Sequence, residues 1–416
     1  MTESEVPNLL STKASILYGS PLKNPRIAKL TILFLAVLAA ISASRILPTL
    51  AQLDADATRI FFQALLWAAL LTIIPVSILW FLDRREPESR WLYVIAILWG
   101  GLIAIGLALP LNLIIFRLTD AYLQVHPDLQ AALGDNAMLT LGTPIAGPLD
   151  EEITKGLGVL LLFWLLKSEF DNVRDGFIYG ALVGIGFNLF ESALYVAQSS
   201  MMWGFAPWGL QLGLRHSLFG FGGHALFTGL FGLFLGLSRQ TTRPWLHYTA
   251  PIIGWLLGYT AHFLYNIQGL LLALSQEGGA PATTPTEDIP FLMGWLVVGW
   301  IKNLPLLPFF VIAIVMLWRS GIWERQVIQS ELADEIGPLV TPEEYEAIKA
   351  DRSFKTRRIP GYSRRASAAI VKAQNELAFR KWRVKQLGQA IETDPLVLSW
   401  REQLIRLRGS EALAVS

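Results

Sequence analysis

Apolar residues gather into eight runs along the chain, at about 28–52, 60–82, 91–116, 138–167, 175–197, 212–237, 249–274 and 289–318. Each approaches the roughly 20 residues that an α-helix needs to cross a hydrocarbon core. The pattern predicts an all-α fold: a polytopic membrane helix bundle of about eight spans over 28–318. A polar segment, 1–27, precedes it, and a polar tail, 319–416, follows. Pro144 and Pro148 fall in the fourth run, so its outer part is expected to be a loop or a broken helix. In the tail, Thr341-Pro342-Glu343-Glu344 reads as a helix start, with Thr as N-cap, Pro in the first turn and acids at the positive dipole end. The tail is therefore expected to be partly helical.

Composition supports this reading. Of 416 residues, 53% are hydrophobic and 16% charged, the balance of an integral membrane protein. Fifteen tryptophans suit interfacial belts. The absence of cysteine excludes disulfides, a Cys nucleophile and thiolate metal sites. Basic residues collect in the N-terminal segment (Lys13, Lys23, Arg26, Lys29) and in alternate loops (Arg84, Arg85 and Arg90; Lys167 and Arg174; Arg239 and Arg243), whereas 198–211 and 275–288 have none. The positive-inside rule then puts both termini on the cytoplasmic side of the membrane. A net charge of +1 points to no nucleic-acid partner. Between 352 and 385 stand eleven Lys/Arg and one acid, Glu376. That stretch reads as a solvated helical face or as a contact for anionic lipid.

Ionisable residues inside the apolar runs are costly and mark function. Glu151 and Glu152 stand together ahead of an uncharged run, with Lys155 one turn later. At about 1.5 Å per residue, Glu151 lies roughly 24 Å from Lys167, Glu191 roughly 24 Å from Asp175, and His224 and His262 roughly 20 Å from their own ends. Lys302 reaches a similar level. Small residues recur every four positions around these groups: Gly176, Gly180 and Gly184 before Glu191; Gly220, His224, Thr228, Gly232 and Gly236; Gly254, Gly258, His262 and Asn266. Such seams allow close helix approach, so the ionisable residues on them should face protein. Four segments thus bring carboxylates and imidazoles to one depth.

Carboxylates and imidazoles in a semi-dry site suit activation of water. One of Glu151 and Glu152 would be the general base, and Lys155 would hold it ionised. His224 would position the water or protonate the leaving amine. His262 and Asn266, on one helix face, would stabilise an oxyanion. Two histidines and a carboxylate also make a catalytic zinc set, although no compact His-Glu-x-x-His signature is present. The residues favour the metal-free arrangement slightly, and zinc stays open as a cofactor. Lys302 is expected to pair with one of the glutamates.

The ordered set Glu151-Glu152-x-x-Lys155, Asp175-Gly176-x-x-Tyr179-Gly180-x-x-x-Gly184-x-Gly186-Phe187-x-x-x-Glu191, His224-x-x-x-Thr228-Gly229-x-x-Gly232 and His262-x-x-x-Asn266 resembles the PrsW family of intramembrane proteases. That family is similar to the CAAX-processing and bacteriocin-protection membrane proteases. The resemblance covers roughly residues 90–275. It implies that Glu151, Glu152, Glu191, His224 and His262 are the site residues; Asp175 and Ser192 are expected to support them. It also implies cleavage of a single-span membrane protein such as an anti-sigma factor. Ser192 stands where the family commonly has Asn. Two other classes fit the same residues: a proton-coupled transporter, for which no inverted repeat is found, and a non-catalytic receptor or scaffold acting through its tail.

Overall fold

The computed structural model describes residues 17–275, 286–337, 339–349, 359 and 361–412. The expected N-terminal segment up to residue 16, most of the loop 275–288 and the basic residues 352–358 lie outside the described residues. Among the described residues the fold is an all-α membrane helical bundle, and six helices are long and apolar enough to cross a membrane. The bundle opens with α1 (Pro25–Ala51) and α2 (Ala55–Leu82). Asn24 and Asp54 cap their N-termini, accepting from the backbone N–H of Arg26 and Ala57. The third span, α3 (Arg90–Gln124), contains a π turn over Trp99–Ala104.

The fourth run is broken, as its prolines predict. It divides into α4 (Ala137–Ala146), a π turn over Gly147–Glu151 containing Pro148, and α5 (Glu152–Leu165). Neither helix alone is long enough to span, which is one reason six candidates stand where eight were expected. The sixth run is also irregular. Residues 208–223 fold into short turns, with positive φ at Leu218, Phe219, Gly220 and Gly223, and α7 (His224–Gln240) begins only at the histidine. Gly220 packs on Pro75 instead of extending the α7 seam. The seventh run is the 32-residue α8 (Pro244–Ser275), whose interior polar residues leave it outside the six. The eighth divides into the short α9 (Phe291–Lys302) and, after a turn containing Pro305, α10 (Leu307–Leu332). The last candidate span therefore runs over Leu304–Glu335, later than expected.

Helix α6 (Val173–Trp203) is the centre of the bundle. Its apolar window is 94% buried, against 11% for α1 and 22% for α2, which present their faces outward. The expected glycine seams are the reason. A Cβ on Gly176, Gly180 or Gly184 would overlap the backbone carbonyl of Gly232, Thr228 or His224 on α7. Likewise a Cβ on Gly258 of α8 would press on the Phe227 carbonyl. In lipid no hydrophobic force drives helix against helix, so this close backbone packing supplies the attraction.

The basic loops gather at one end of the bundle, with the tail. Helix α10 continues from the membrane core, through Phe309 and Ala313, into a second core at Val327, Ile328 and Leu332. That second core is completed by α11 (Pro342–Lys349), α12 (Arg364–Gln386) and α13 (Pro395–Ala412). The helix start at Thr341 forms as expected, with reciprocal bonds between Thr341 and Glu344. The Glu324 carboxylate on α10 joins Arg85 at 3.0 Å and Arg174 at 2.6 Å, and Asn375 of α12 donates to the Arg85 carbonyl. Most cations of α12 are committed inside the protein: Arg380 to Asp394, Lys381 to Glu335, Lys385 to Glu331, and Arg383 to the Arg239 carbonyl. Among the described residues of the basic stretch, these four cations therefore face partners within the protein, on the central helix of the tail. Arg364 and Arg365 remain exposed on it.

Candidate active site

Five of the predicted residues converge. Glu151 ends the π turn, Glu152 opens α5, Glu191 lies on α6, His224 is the first residue of α7, and His262 lies on α8. All are buried, between 2% and 8% exposed. The α6–α7 seam fixes Glu191 against His224, whose Nε2 lies 2.8 Å from Glu191 Oε2. Lys155, fully buried, reaches across with its ammonium 2.6 Å from Glu152 Oε1, 2.8 Å from His224 Nδ1 and 3.5 Å from Glu151 Oε2.

Partner chemistry assigns the tautomers. An ammonium has no acceptor, so His224 Nδ1 accepts from Lys155 and Nε2–H donates to Glu191. His262 Nδ1–H donates to Glu152 Oε1 at 3.0 Å. The Thr228 hydroxyl donates to the other oxygen of Glu152, also at 3.0 Å. His262 Nε2 then faces Glu151, 3.9 Å from its Oε2, and His224 Nδ1 is 3.7 Å from the same oxygen. Phe227 stacks on the His262 ring and fixes its plane. Glu151, His224 and His262 each offer one ligand atom within 4.8 Å of the other two, a group able to hold a metal ion.

The two glutamates take different positions. Glu151 lines a cavity of about 200 Å³, with Glu191, His224, His262, Tyr265 and Asn266. Glu152 lies behind it and ties His262, Lys155 and Thr228 together. Gly147 opens this space, since a Cβ there would sit 3.0 Å from Asn266 Nδ2 and 3.3 Å from Glu151 Oε1. Asn266 donates to the Thr143 carbonyl at 3.4 Å, on the cavity wall.

Three supporting residues differ from expectation. Asp175 is not brought to the site: it accepts from the N–H groups of Asp171 and Asn172, forming the capping box of α6 roughly 24 Å along the helix from Glu191. The Ser192 hydroxyl bonds back to the Asn188 carbonyl and does not line the cavity. Lys302 pairs with no glutamate among the described residues. It ends α9, and its ammonium lies 4.2 Å from the centre of the Tyr265 ring. The turn at Leu304–Leu306, absent from a straight-helix count, moves it off the expected position.

Arg215 was missed. Its guanidinium is 2.6 Å from Glu191 Oε2 and 4.3 Å from the Tyr195 ring centre, and it lines the cavity. A lone arginine inside an apolar run was the available signal. Read on a straight helix, it fell beyond the common depth. The turns of 208–223 fold it back.

A sequence model of the PrsW family, described as intramembrane metalloproteases, matches residues 88–301. Protease PrsW of Geobacillus kaustophilus is 25% identical over 135 residues, 32% of this chain and 53% of that protein. The chain thus matches about half the length of that relative. No solved structure matches. The family match takes in more than half of the chain and every residue of the glutamate–histidine cluster, and the chain belongs to the PrsW family of intramembrane metalloproteases.

Proposed function

We propose that this protein is an intramembrane endopeptidase that hydrolyses a peptide bond of a single-span membrane protein, with Glu151, His224 and His262 at the reaction centre. The observation that carries this reading is the convergence of one carboxylate and two imidazoles from three separate segments within 4.8 Å, on the wall of a cavity inside the helix bundle.

The donor set fits a metal. One carboxylate oxygen and two imidazole nitrogens are the three-ligand set of catalytic zinc sites. Each imidazole also presents its far nitrogen to a carboxylate, His224 to Glu191 and His262 to Glu152, the partner arrangement that orients metal-binding histidines. These observations, with the family's metalloprotease description, favour the zinc arrangement over the metal-free one that the residues alone suggested. Glu151 Oε2, His224 Nδ1 and His262 Nε2 would hold the ion. When bound, it would acidify a water molecule and polarise the scissile carbonyl.

The chain's own groups account for the remaining chemistry. Glu151 keeps Oε1 on the cavity side, beside Gly147, where it can accept a proton from the attacking water. Asn266, on the same cavity wall, offers an N–H to the developing oxyanion. Lys155, 2.8 Å from His224 Nδ1, would have to leave that nitrogen free for the ion, and its 2.6 Å contact with Glu152 would keep its charge paired. The burial of all five site residues limits bulk water around the reacting bond. We read the end that carries the basic loops and the tail as cytoplasmic, and an anti-sigma-factor-like protein as the substrate class.

The test uses purified full-length protein and a single-span substrate, with metal content measured on the same sample. Cleavage should be lost in Glu151→Gln and His224→Ala while both variants insert and unfold normally. Stoichiometric zinc should fall in the same variants. Full cleavage by both would overturn the reading.

A further inference from the structure

The cavity has a second polar feature that the reaction centre does not use. Its wall on α6 runs Phe187, Glu191, Leu194, Gln198, and its wall on α3 includes Ile105, Ala108 and Asn112. The spacing on each helix is that of one face. Both helices run away from the tail end of the bundle, so Asn112 and Gln198 lie on the same side of Glu191. Gln198 stands seven residues beyond Glu191, roughly 10 Å along the axis.

These two amides differ from the others that line the cavity. Asn188 donates to the Arg215 carbonyl, and Asn266 to the Thr143 carbonyl. The side chains of Asn112 and Gln198 are half-buried and form no hydrogen bond among the described residues. Half-buried on the cavity wall and without a partner in the protein, both amides are available to a group that enters the cavity. Each provides a donor and an acceptor at one end, the complement of a peptide group.

Hydrolysis inside a helix bundle creates a need for such groups. A transmembrane helix satisfies its own backbone, so a bond within it becomes open to attack only when the helix unwinds. The freed N–H and C=O groups then need partners away from bulk water. We propose that Asn112 and Gln198 form a backbone-binding subsite that holds the unwound, extended stretch of the substrate, about three residues from the scissile bond. That register follows from the roughly 10 Å offset and about 3.3 Å per extended residue. The proposal rests on the peptidase reading given above.

The test uses a synthetic single-span peptide with a Leu/Ala span whose final third contains a Gly-Pro pair, cleaved by the full-length protein in detergent. N-methyl groups are placed one at a time on its backbone. Asn112→Leu and Gln198→Leu should each raise KM by about 3- to 10-fold, the loss of one hydrogen bond, with kcat within about 2-fold. Asn112→Gln should recover most of the loss. N-methylation at one position about three residues from the cleaved bond should raise the wild-type KM similarly and have little further effect in one of the two Leu variants. This last readout is made on the wild-type fold and is independent of variant stability. Wild-type cleavage abolished by Glu151→Gln, but with KM unchanged in both Leu variants and at every N-methyl position, would overturn the subsite and leave the peptidase standing. Absence of any Glu151-dependent cleavage would remove both.

Discussion

Glu191 offers a sharp test of how the site is held. Its Oε2 accepts from His224 Nε2–H at 2.8 Å and from Arg215 at 2.6 Å. Glu191→Gln keeps the size of the side chain and removes its charge. A hydrogen bond to a charged group contributes about 1.5–3 kcal/mol. At 1.4 kcal/mol per tenfold, losing the one that orients His224 should lower kcat/KM by roughly 10- to 100-fold. Loss of such an orienting partner lowers metal affinity over a similar range. The Arg215 side chain keeps 18% exposure, so stripping its counter-charge should cost about 3 kcal/mol, the lower end for a buried pair. Glu191→Gln combined with Arg215→Met removes the stranded charge. The double variant should therefore regain its thermal midpoint while activity and zinc affinity stay low. The assays are kcat/KM on a single-span substrate, zinc Kd by chelator competition, and thermal unfolding in detergent. A Glu191→Gln protein with kcat/KM and zinc Kd within about 3-fold of wild type would refute the orienting role. Full activity in the double variant would refute it as well.

Three further outcomes follow from the packing. Gly184→Ala drives a Cβ into the His224 carbonyl, so it should destabilise by about 1–3 kcal/mol and lower activity, read by thermal unfolding and cleavage rate. Glu324→Gln removes the carboxylate that Arg85 and Arg174 share and should loosen the tail by about 1.5–3 kcal/mol, the loss of a hydrogen bond to a charged group, seen as faster limited proteolysis of α12. Burial pushes Asp83, on the loop beneath the tail, and Glu376, on α12, up to about 7 from ordinary values of 3.8 and 4.5. The docked state then binds more protons than the undocked one. Docking should weaken as pH rises from about 6 to 8, measured as increased amide exchange in α12 after correction for intrinsic rates. A flat or reversed profile would count against this linkage.

The sequence pattern specified the bundle well where helices are regular. The four-residue glycine spacing on α6 marked a close-packing face, and the structure sets α7 against it, where only a hydrogen side chain admits a carbonyl at that distance. The run lengths located α1, α2 and α6 to within about six residues at each end. The pattern failed where the backbone leaves the α-helix. Hydropathy does not register a change in helical pitch, so the π turns at Trp99–Ala104 and Gly147–Glu151 were invisible as such, and only Pro148 gave warning of the second. The sequence reads the tail's basic stretch as a solvated face or a lipid contact, and four of its described cations meet carboxylates or carbonyls of the protein. A charge count gives no indication of which cations face carboxylates contributed by distant helices.

The same distinction governs the site. Depth counting found Glu191 and His262 because α6 and α8 are continuous helices, along which position converts directly into distance. It found His224 because everything between that residue and the end of α7 is also regular. Arg215 lies only nine residues earlier, yet the turns between them break the conversion, and Lys302 is displaced by a turn in the same way. The adjacent glutamates could not be told apart from spacing, since one fills the cavity wall and the other the layer behind it. That separation depends on the π turn, which ends at Glu151 and sets it beside Gly147, facing His262 and Asn266. The departures from regular helix therefore fall where the chemistry is placed. A π turn widens the helix locally and turns successive side chains relative to the surrounding segments. Replacing it with unbroken α-helix would carry Glu151 away from His224 Nδ1 and His262 Nε2, and the three-atom group could not form without a compensating shift of α7 or α8. Those two helices are fixed by their own glycine seams, so the placing of Glu151 against them rests on the π turn.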